Sequence, residues 1–305
     1  MKKLTAVLIL IICLFISACS DAGVVNEPAK PDDSVEAVSS GEAIDEPDAA
    51  TEAAIELETE EERAARLAAE ETARKTEEYL SAALEAERAA RETTAGGKGG
   101  VVYLTFDDGP CGYTDDVLEI LAKYNVKATF FLTAQHPRQL GYITDIYNAG
   151  HSIGLHSYSH EYYLCYASEE AFYEETEKMS DVIEEYAGIR PVIMRFPGGS
   201  SNAVSKKYCE GIMTAVTQGV EEKGYTYFDW NVGSSDTASD ATVNSIINNV
   251  IAGIKKHDES VVLMHDFKIN SVKALPSIIE WGLENGYEFV GLTPESPTCH
   301  FKVKN

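Results

Sequence analysis

Val101-Val102-Tyr103-Leu104-Thr105-Phe106-Asp107-Asp108-Gly109-Pro110 is a run of β-formers that ends abruptly in two carboxylates and a turn. A strand half-exposed to water alternates apolar and polar residues. One that is apolar at successive positions is covered on both faces, as in a parallel sheet packed between helices. Further apolar runs recur at 128–132, 152–155, 192–196, 225–232, 260–264 and 287–292. Between them lie amphipathic stretches at 115–124, 138–149, 169–186, 206–223, 242–256 and 272–284. Strands interleaved with helices in this way predict an α/β fold, a closed or nearly closed barrel of about seven parallel strands.

In such a barrel the chemistry sits where strands end, so the residues that follow each strand are the informative ones. The first strand runs into Asp107-Asp108-Gly109-Pro110, and the third into His156-Ser157-Tyr158-Ser159-His160. The fourth ends in Arg195-Phe196-Pro197-Gly198-Gly199-Ser200. The fifth meets Asp229-Trp230 with Asp236 close behind, and the sixth ends in Leu263-Met264-His265-Asp266. Isolated, each has a plain reading as a turn, a satisfied core histidine, a salt bridge or strand packing. Together they place two carboxylates, three histidines and an arginine on one rim.

His156 and His160 stand four apart, which on one helical turn points both rings the same way. Two imidazoles and a carboxylate make a three-ligand set for a catalytic divalent metal, leaving a position for water. Asp107 or Asp108 supplies that carboxylate, and the other is free to take a proton from metal-bound water, whose pKa falls towards ~7. His265 could protonate a leaving group with an acidic partner such as Asp236, and Arg195 could orient the basic Asp. Gly198 and Gly199 leave backbone N–H groups accessible, as an oxyanion site needs. These parts describe metal-assisted hydrolysis of an amide or ester.

The chain of 305 residues carries 25 Lys+Arg against 50 Asp+Glu, a formal charge of −25, which argues against a nucleic-acid partner. Six cysteines without a paired CxxC spacing exclude a zinc ribbon or thioredoxin-type motif. Met1-Lys2-Lys3 followed by about a dozen apolar residues reads as a signal peptide. Its end, Ile16-Ser17-Ala18-Cys19, resembles a bacterial lipobox, in which Cys19 is lipidated. Residues 1–19 are therefore the expected leader and 20–50 a disordered acidic linker. Residues 51–95 are an acidic helix rich in Ala and Glu, with favourable acid-before-base pairs such as Glu70 to Arg74 and Glu87 to Arg91. Large apolar residues are sparse there, so a solvated spacer helix or a weak coiled coil on an otherwise monomeric protein is expected. Residues 96–305 form the catalytic domain. The expected location is the outer face of a bacterial cell membrane, held by the lipid. Of the cysteines, Cys111, Cys165, Cys209 and Cys299 remain outside the cell, where two of them could form a disulfide with the pairing open, a free Cys111 being the alternative.

The order TFDDGP, HSYSH, RFPGG, a Trp-then-Asp segment and LMHD resembles the five motifs of the polysaccharide deacetylases, carbohydrate esterase family 4, across about residues 101–295. The resemblance implies a distorted (β/α) barrel holding Zn2+, or alternatively Co2+, and removal of N- or O-acetyl groups from polysaccharides. It implies Asp107 as general base, Asp108, His156 and His160 as metal ligands, and Arg195 as the arginine that positions the base. Pro197 keeps its motif place, Gly198 N–H completes the oxyanion hole, and His265 is the general acid. Leu263 walls the acetyl pocket and Trp230 stands on the substrate side. Two departures are visible. The third motif usually carries Tyr where Gly198 stands, so a side-chain wall is expected to be lost there and the groove to be open. The fourth usually ends in Asp-Trp, and Asp236, six residues past Trp230, is preferred to Asp229 as the partner of His265. The substrate class so implied is cell-wall glycan, first of all N-acetylglucosamine in peptidoglycan. O-acetyl esterase action on xylan or chitin-like oligosaccharides, and non-catalytic glycan binding, are the alternatives.

Overall fold

The computed structural model describes residues 59–97 and 99–305. The signal peptide, Cys19, the linker 20–50 and the start of the spacer lie outside the described residues. The chain divides into two units, Met1–Ala69 and Glu70–Asn305.

Among the described residues eight strands form one parallel sheet: β1 Val101–Gly109, β2 Thr129–Leu132, β3 Ser152–Leu155, β4 Ile193–Met194, β5 Thr226–Tyr227, β6 Val232–Gly233, β7 Glu259–His265 and β8 Glu288–Phe289. Their order is β5-β4-β3-β2-β1-β7-β6, with β8 pairing against the start of β1. The fifth expected strand is thus two short ones. β5 hydrogen-bonds β4 at one end of the sheet, and β6 hydrogen-bonds β7 at the other. Four residues, Phe228 to Asn231, join them, and so short a link holds the two sheet edges close together. The sheet is therefore curled into a barrel that is closed there by chain connectivity rather than by a ladder.

Side chains alternate across the strands. Leu104 and Phe106 of β1 are buried in the layer between sheet and helices, where Phe106 stacks on Phe130 of β2 at 5.2 Å. Tyr103, Thr105 and Asp107, of opposite parity, face the other way. The covering helices include Thr114–Tyr124, Glu169–Ala187, Ile212–Glu222, Val243–Ile254 and Ile269–Glu284. Local chemistry sets their ends: Ser168 Oγ accepts from Ala171 N (3.2 Å) at one start, and Gly188 closes the same helix at φ +70°.

Helix Glu60–Thr94 lies within the expected acidic segment 51–95. It opens on a capping box, with Thr59 N–H donating to Glu62 Oε2 (2.7 Å) and Glu62 N–H to Thr59 Oγ1 (3.1 Å). From Glu70 onward it belongs to the same compact unit as the barrel, so this unit starts well before the expected boundary at residue 96. Nor is this part a solvated spacer: Thr76, Leu84, Glu87 and Ala90 are buried. The Tyr79 hydroxyl accepts from Ile153 N (2.6 Å) and donates to His151 O (2.9 Å). Glu87 accepts from Tyr103 Oη (2.6 Å), Ser296 Oγ (2.8 Å) and Thr293 Oγ1, and pairs with Arg91 at 3.0 Å. Arg91 also reaches Glu259, the first residue of β7, at 2.9 Å. These contacts lie at the beginnings of β1 and β7, the end of the barrel opposite Asp107 and His265. Among the described residues no helix is long and apolar enough to cross a membrane.

Candidate active site

Successive residues of a regular strand point to opposite faces, so Asp107 and Asp108 should not share a site. They do because β1 carries a bulge. Its register against β2 shifts between Asp107 and Gly109, and Asp108 takes a left-handed backbone at φ +73°. A bulge re-aims the extra side chain. Gly109 follows because a Cβ there would stand 2.5 Å from Asp266 Oδ2. Asp266 in turn accepts from Thr114 Oγ1 (2.6 Å), and burial pushes its carboxyl pKa up to about 6.

The histidine pair is held differently from the expectation. His156 and His160 lie on a bend after β3, not on a helical turn, and His160 has φ +58°. Their rings nevertheless stack at 5.1 Å. The bend is pinned by Glu175, whose Oε2 accepts from Ser159 N (2.7 Å) and Ser159 Oγ (2.6 Å), and by Ser157 Oγ, which accepts from His160 N (3.0 Å). His156 Nδ1 lies 2.7 Å from the Arg195 carbonyl oxygen. A carbonyl can only accept, so Nδ1 carries the proton and Nε2 presents a lone pair to the site.

Asp108, His156 and His160 each bring one ligand atom within 4.8 Å of the others. Asp108 Oδ1 is 3.4 Å from His156 Nε2 and 3.2 Å from His160 Nε2, and it is buried without a hydrogen-bond partner among the described residues. Burial alone would raise the Asp108 pKa, but His156 foremost, then His160 and His265, hold it well below the usual carboxylate range. A buried carboxylate oxygen with no donor, facing two imidazole nitrogens, fits a divalent transition ion.

Asp107 faces the same space. Its Oδ1 accepts from Arg195 Nη1 (2.8 Å), while Oδ2 makes no hydrogen bond with the described residues and lies 3.9 Å from His156 Nε2. Arg195 is fully buried and also donates to Thr105 Oγ1 (2.6 Å), Phe228 O (3.1 Å) and Asp229 O (3.1 Å). A guanidinium with all these acceptors is fixed, and it fixes Asp107. Phe131 and Trp230 flank it at 4.3 and 5.7 Å, and Trp230 is T-shaped against Phe301 at 4.9 Å. Trp230 thus packs behind Arg195 as well as standing partly open.

Across β1, β7 runs in register, Thr105 against Leu263 and Asp107 against His265. Leu263 and His265 therefore share the face of Thr105 and Asp107. His265 Nδ1–H donates to Asp236 Oδ1 (2.9 Å), and Asp236 Oδ2 accepts from His265 N (2.8 Å) and Ser271 Oγ (2.7 Å). Asp229 makes none of these contacts. It accepts from Ser200 N (2.8 Å), Ser200 Oγ and Phe301 N (2.8 Å), which ties the third-motif loop to the C-terminal segment. His265 Nε2 remains for the site, 3.9 Å from Asp108 Oδ2. Burial works to deprotonate His265, yet the hydrogen bond and charge of Asp236, with Asp107 and Asp108 behind it, raise its pKa above the ordinary 6.5. The protonated form thus persists to higher pH than in free imidazole. Asp236→Asn removes the largest raising contribution, so the alkaline limb of kcat against pH is expected to move to lower pH. An unmoved limb in that profile would separate Asp236 from the protonation of His265.

Pro197 is buried and Gly198 is exposed, at φ +78°. The Pro197 carbonyl accepts from Tyr166 Oη (2.8 Å) and Asn202 Nδ2 (3.0 Å). A trans peptide unit is planar with C=O and N–H opposed, so fixing that carbonyl also aims the Gly198 N–H away from it. Tyr166, Asn202, Glu175 and Ser271 support the site without a sequence signature, whereas Thr105 opens the TFDDGP segment and shares the inward parity of Asp107. Cys111, Cys165, Cys209 and Cys299 are all free thiols among the described residues, which matches the free-Cys111 alternative and not a disulfide.

Residues 94–212 match the family described as polysaccharide deacetylase. A peptidoglycan-N-acetylglucosamine deacetylase of Bacillus cereus is 35 % identical over 209 residues, covering 67 % of this chain and 72 % of that protein. The catalytic domain of peptidoglycan N-acetylglucosamine deacetylase from Eubacterium rectale ATCC 33656 superposes with a TM-score of 0.66 at 48 % identity, covering 67 % of this chain and 94 % of that one. The polysaccharide deacetylase Bc1974 from Bacillus cereus superposes at 0.55 with 30 % identity, covering 67 % and 96 %. With its curled parallel sheet and the five strand-end segments gathered at one rim, the chain belongs to the polysaccharide deacetylase family, carbohydrate esterase family 4.

Proposed function

We propose that this protein is a metal-dependent hydrolase that removes N-acetyl groups from N-acetylglucosamine in peptidoglycan. The observation that carries the proposal is the unpartnered, buried Asp108 Oδ1 facing two imidazole nitrogens, beside an Asp107 whose second oxygen is open. Asp108, His156 and His160 would hold the ion. When bound, Zn2+ or Co2+ supplies Lewis-acid polarisation of the acetyl carbonyl and acidifies water.

The chain's own groups divide the remaining work. Asp107, held through Oδ1 by Arg195, takes a proton at Oδ2 from the water that adds to the acetyl carbon. Gly198 N–H donates to the developing oxyanion. His265, kept protonated by Asp236, delivers a proton from Nε2 to the departing nitrogen as the C–N bond breaks. The products are acetate and a free amine on the sugar. Leu263, next inward on β7, supplies apolar surface for the acetyl methyl.

The peptidoglycan assignment is supported by the names of the relatives, and by the leader and Cys19 lipobox, which would hold the enzyme outside the membrane facing the wall. The test is to incubate the full-length protein with zinc on isolated peptidoglycan and, separately, on O-acetylated xylan. The expected result is acetate from peptidoglycan, matched one for one by new amines that an amine-reactive dye labels. Acetate from xylan alone would redirect the assignment to an O-acetyl esterase.

A further inference from the structure

The sequence leaves a gap where Gly198 stands, and the structure fills it from another loop. A Cβ built on Gly198 would overlap Tyr162 Oη, with Asn202 Nδ2 next at 3.2 Å. Tyr162 lies two residues past His160, on the short turn Tyr162–Cys165. The expected open groove is therefore occupied at this point by a phenol.

The ring is pinned from two sides. Its edge meets the His160 ring at 6.0 Å and the Tyr166 ring at 5.5 Å, both T-shaped. Tyr166 is the residue that holds the Pro197 carbonyl. Tyr162 thus touches one metal-ligand candidate and one support of the oxyanion N–H. The hydroxyl itself makes no hydrogen bond with the described residues, although the residue is only partly exposed. A phenol is protonated at neutral pH and can both donate and accept. One left unpaired beside His160 and Gly198, on a ring with fixed orientation, is arranged to meet a polar ligand rather than to stabilise the fold.

We propose that Tyr162 takes over the side-chain position vacated at Gly198 and hydrogen-bonds the acetylated sugar whose carbonyl meets the Gly198 N–H. The inference rests on the deacetylase reading for its ligand, an N-acetylated glucosamine oligomer. Tyr162 is then a substrate-binding residue, and it contributes affinity while leaving the proton transfers to Asp107 and His265.

The test compares full-length wild type, Tyr162→Phe and Tyr162→Ala. The probe is the β-1,4-linked tetramer of N-acetylglucosamine. Zinc content, kcat and KM are measured, and so is the dissociation constant of the tetramer on an Asp107→Asn background. Loss of one neutral hydrogen bond predicts a KM and dissociation constant about five- to tenfold higher for Tyr162→Phe, with zinc content unchanged and kcat within about threefold. Tyr162→Ala should be weaker still, since the ring surface is lost as well. If wild type releases no acetate yet the phenylalanine variant binds the tetramer more weakly, Tyr162 keeps its role and the deacetylase reading fails. Equal KM and binding in all three proteins, no binding by wild type, or zinc loss in Tyr162→Phe each overturn the proposal.

Discussion

Asp107→Asn is expected to lower kcat by roughly 10²- to 10⁴-fold, the range over which a positioned general base acts. The asparagine oxygen can still accept from Arg195 Nη1, as Oδ1 does now at 2.8 Å. What it presents to the site is an amide, which cannot take a proton. The variant also leaves the fully buried Arg195 without its carboxylate, a change that destabilises proteins. Three other acceptors, Thr105 Oγ1, Phe228 O and Asp229 O, remain to hold the guanidinium, so the fold should survive with a lowered melting temperature. Zinc binding separates the two effects: Asp108, His156 and His160 are untouched, and zinc affinity should stay within a few-fold of wild type. A variant that keeps most of its kcat would remove Asp107 from the role of base.

The second large effect concerns stability. A chain beginning at Gly97 lacks the helix that ends at Thr94 and should unfold far more readily than one beginning at Glu70. Removing the helix exposes the surface now covered by Leu84 and Ala90. It also strips Tyr103, Thr293 and Ser296 of their shared acceptor, Glu87. A buried leucine contributes about 1.5–3 kcal/mol, and each of the three hydrogen bonds to Glu87 contributes about 0.5–1.5 kcal/mol net once water can replace it. The total is on the order of 5 kcal/mol, which approaches the whole stability of an ordinary domain. For a domain of this size that corresponds to a midpoint lower by about 10–20 °C. Glu87→Ala in the full chain should give a smaller shift in the same direction. Equal thermal midpoints for the two truncated chains would show that the helix adds nothing to the barrel.

That helix marks where sequence reasoning was weakest. Its docked face is built from Thr76, Tyr79, Leu84, Glu87 and Ala90, so hydrophobic periodicity has almost nothing to detect. Helix formation itself was legible from Ala and Glu content, but docking through a buried carboxylate was not. The barrel was far more legible, because strands covered on both faces are continuous apolar runs. The split of the fifth strand was hidden, since 225–232 reads as one apolar segment and only pairing with β4 and β7 divides it.

Within the site, residue identities were readable at strand ends while their geometry was not. Spacing alone put His156 and His160 on a helical turn, whereas a left-handed His160 and the Glu175 anchor bring the rings together. The β-bulge that turns Asp107 and Asp108 to one side depends on register against β2. Glycine at 198 suggested an empty wall, because the tyrosine that fills it comes from a segment 36 residues earlier in the chain. Supports such as Tyr166 and Asn202 act through one backbone carbonyl and leave no pattern to recognise.

The most direct measurement starts from full-length protein stripped of metal by a chelator. Isolated peptidoglycan is added, and acetate is followed as Zn2+ is titrated in, beside an Asp108→Ala variant. The expected result is no acetate without metal, release that saturates at one zinc per chain, and neither tight zinc binding nor acetate in the variant. Acetate release at full rate from the stripped protein, or zinc-dependent release undiminished in Asp108→Ala, would contradict it.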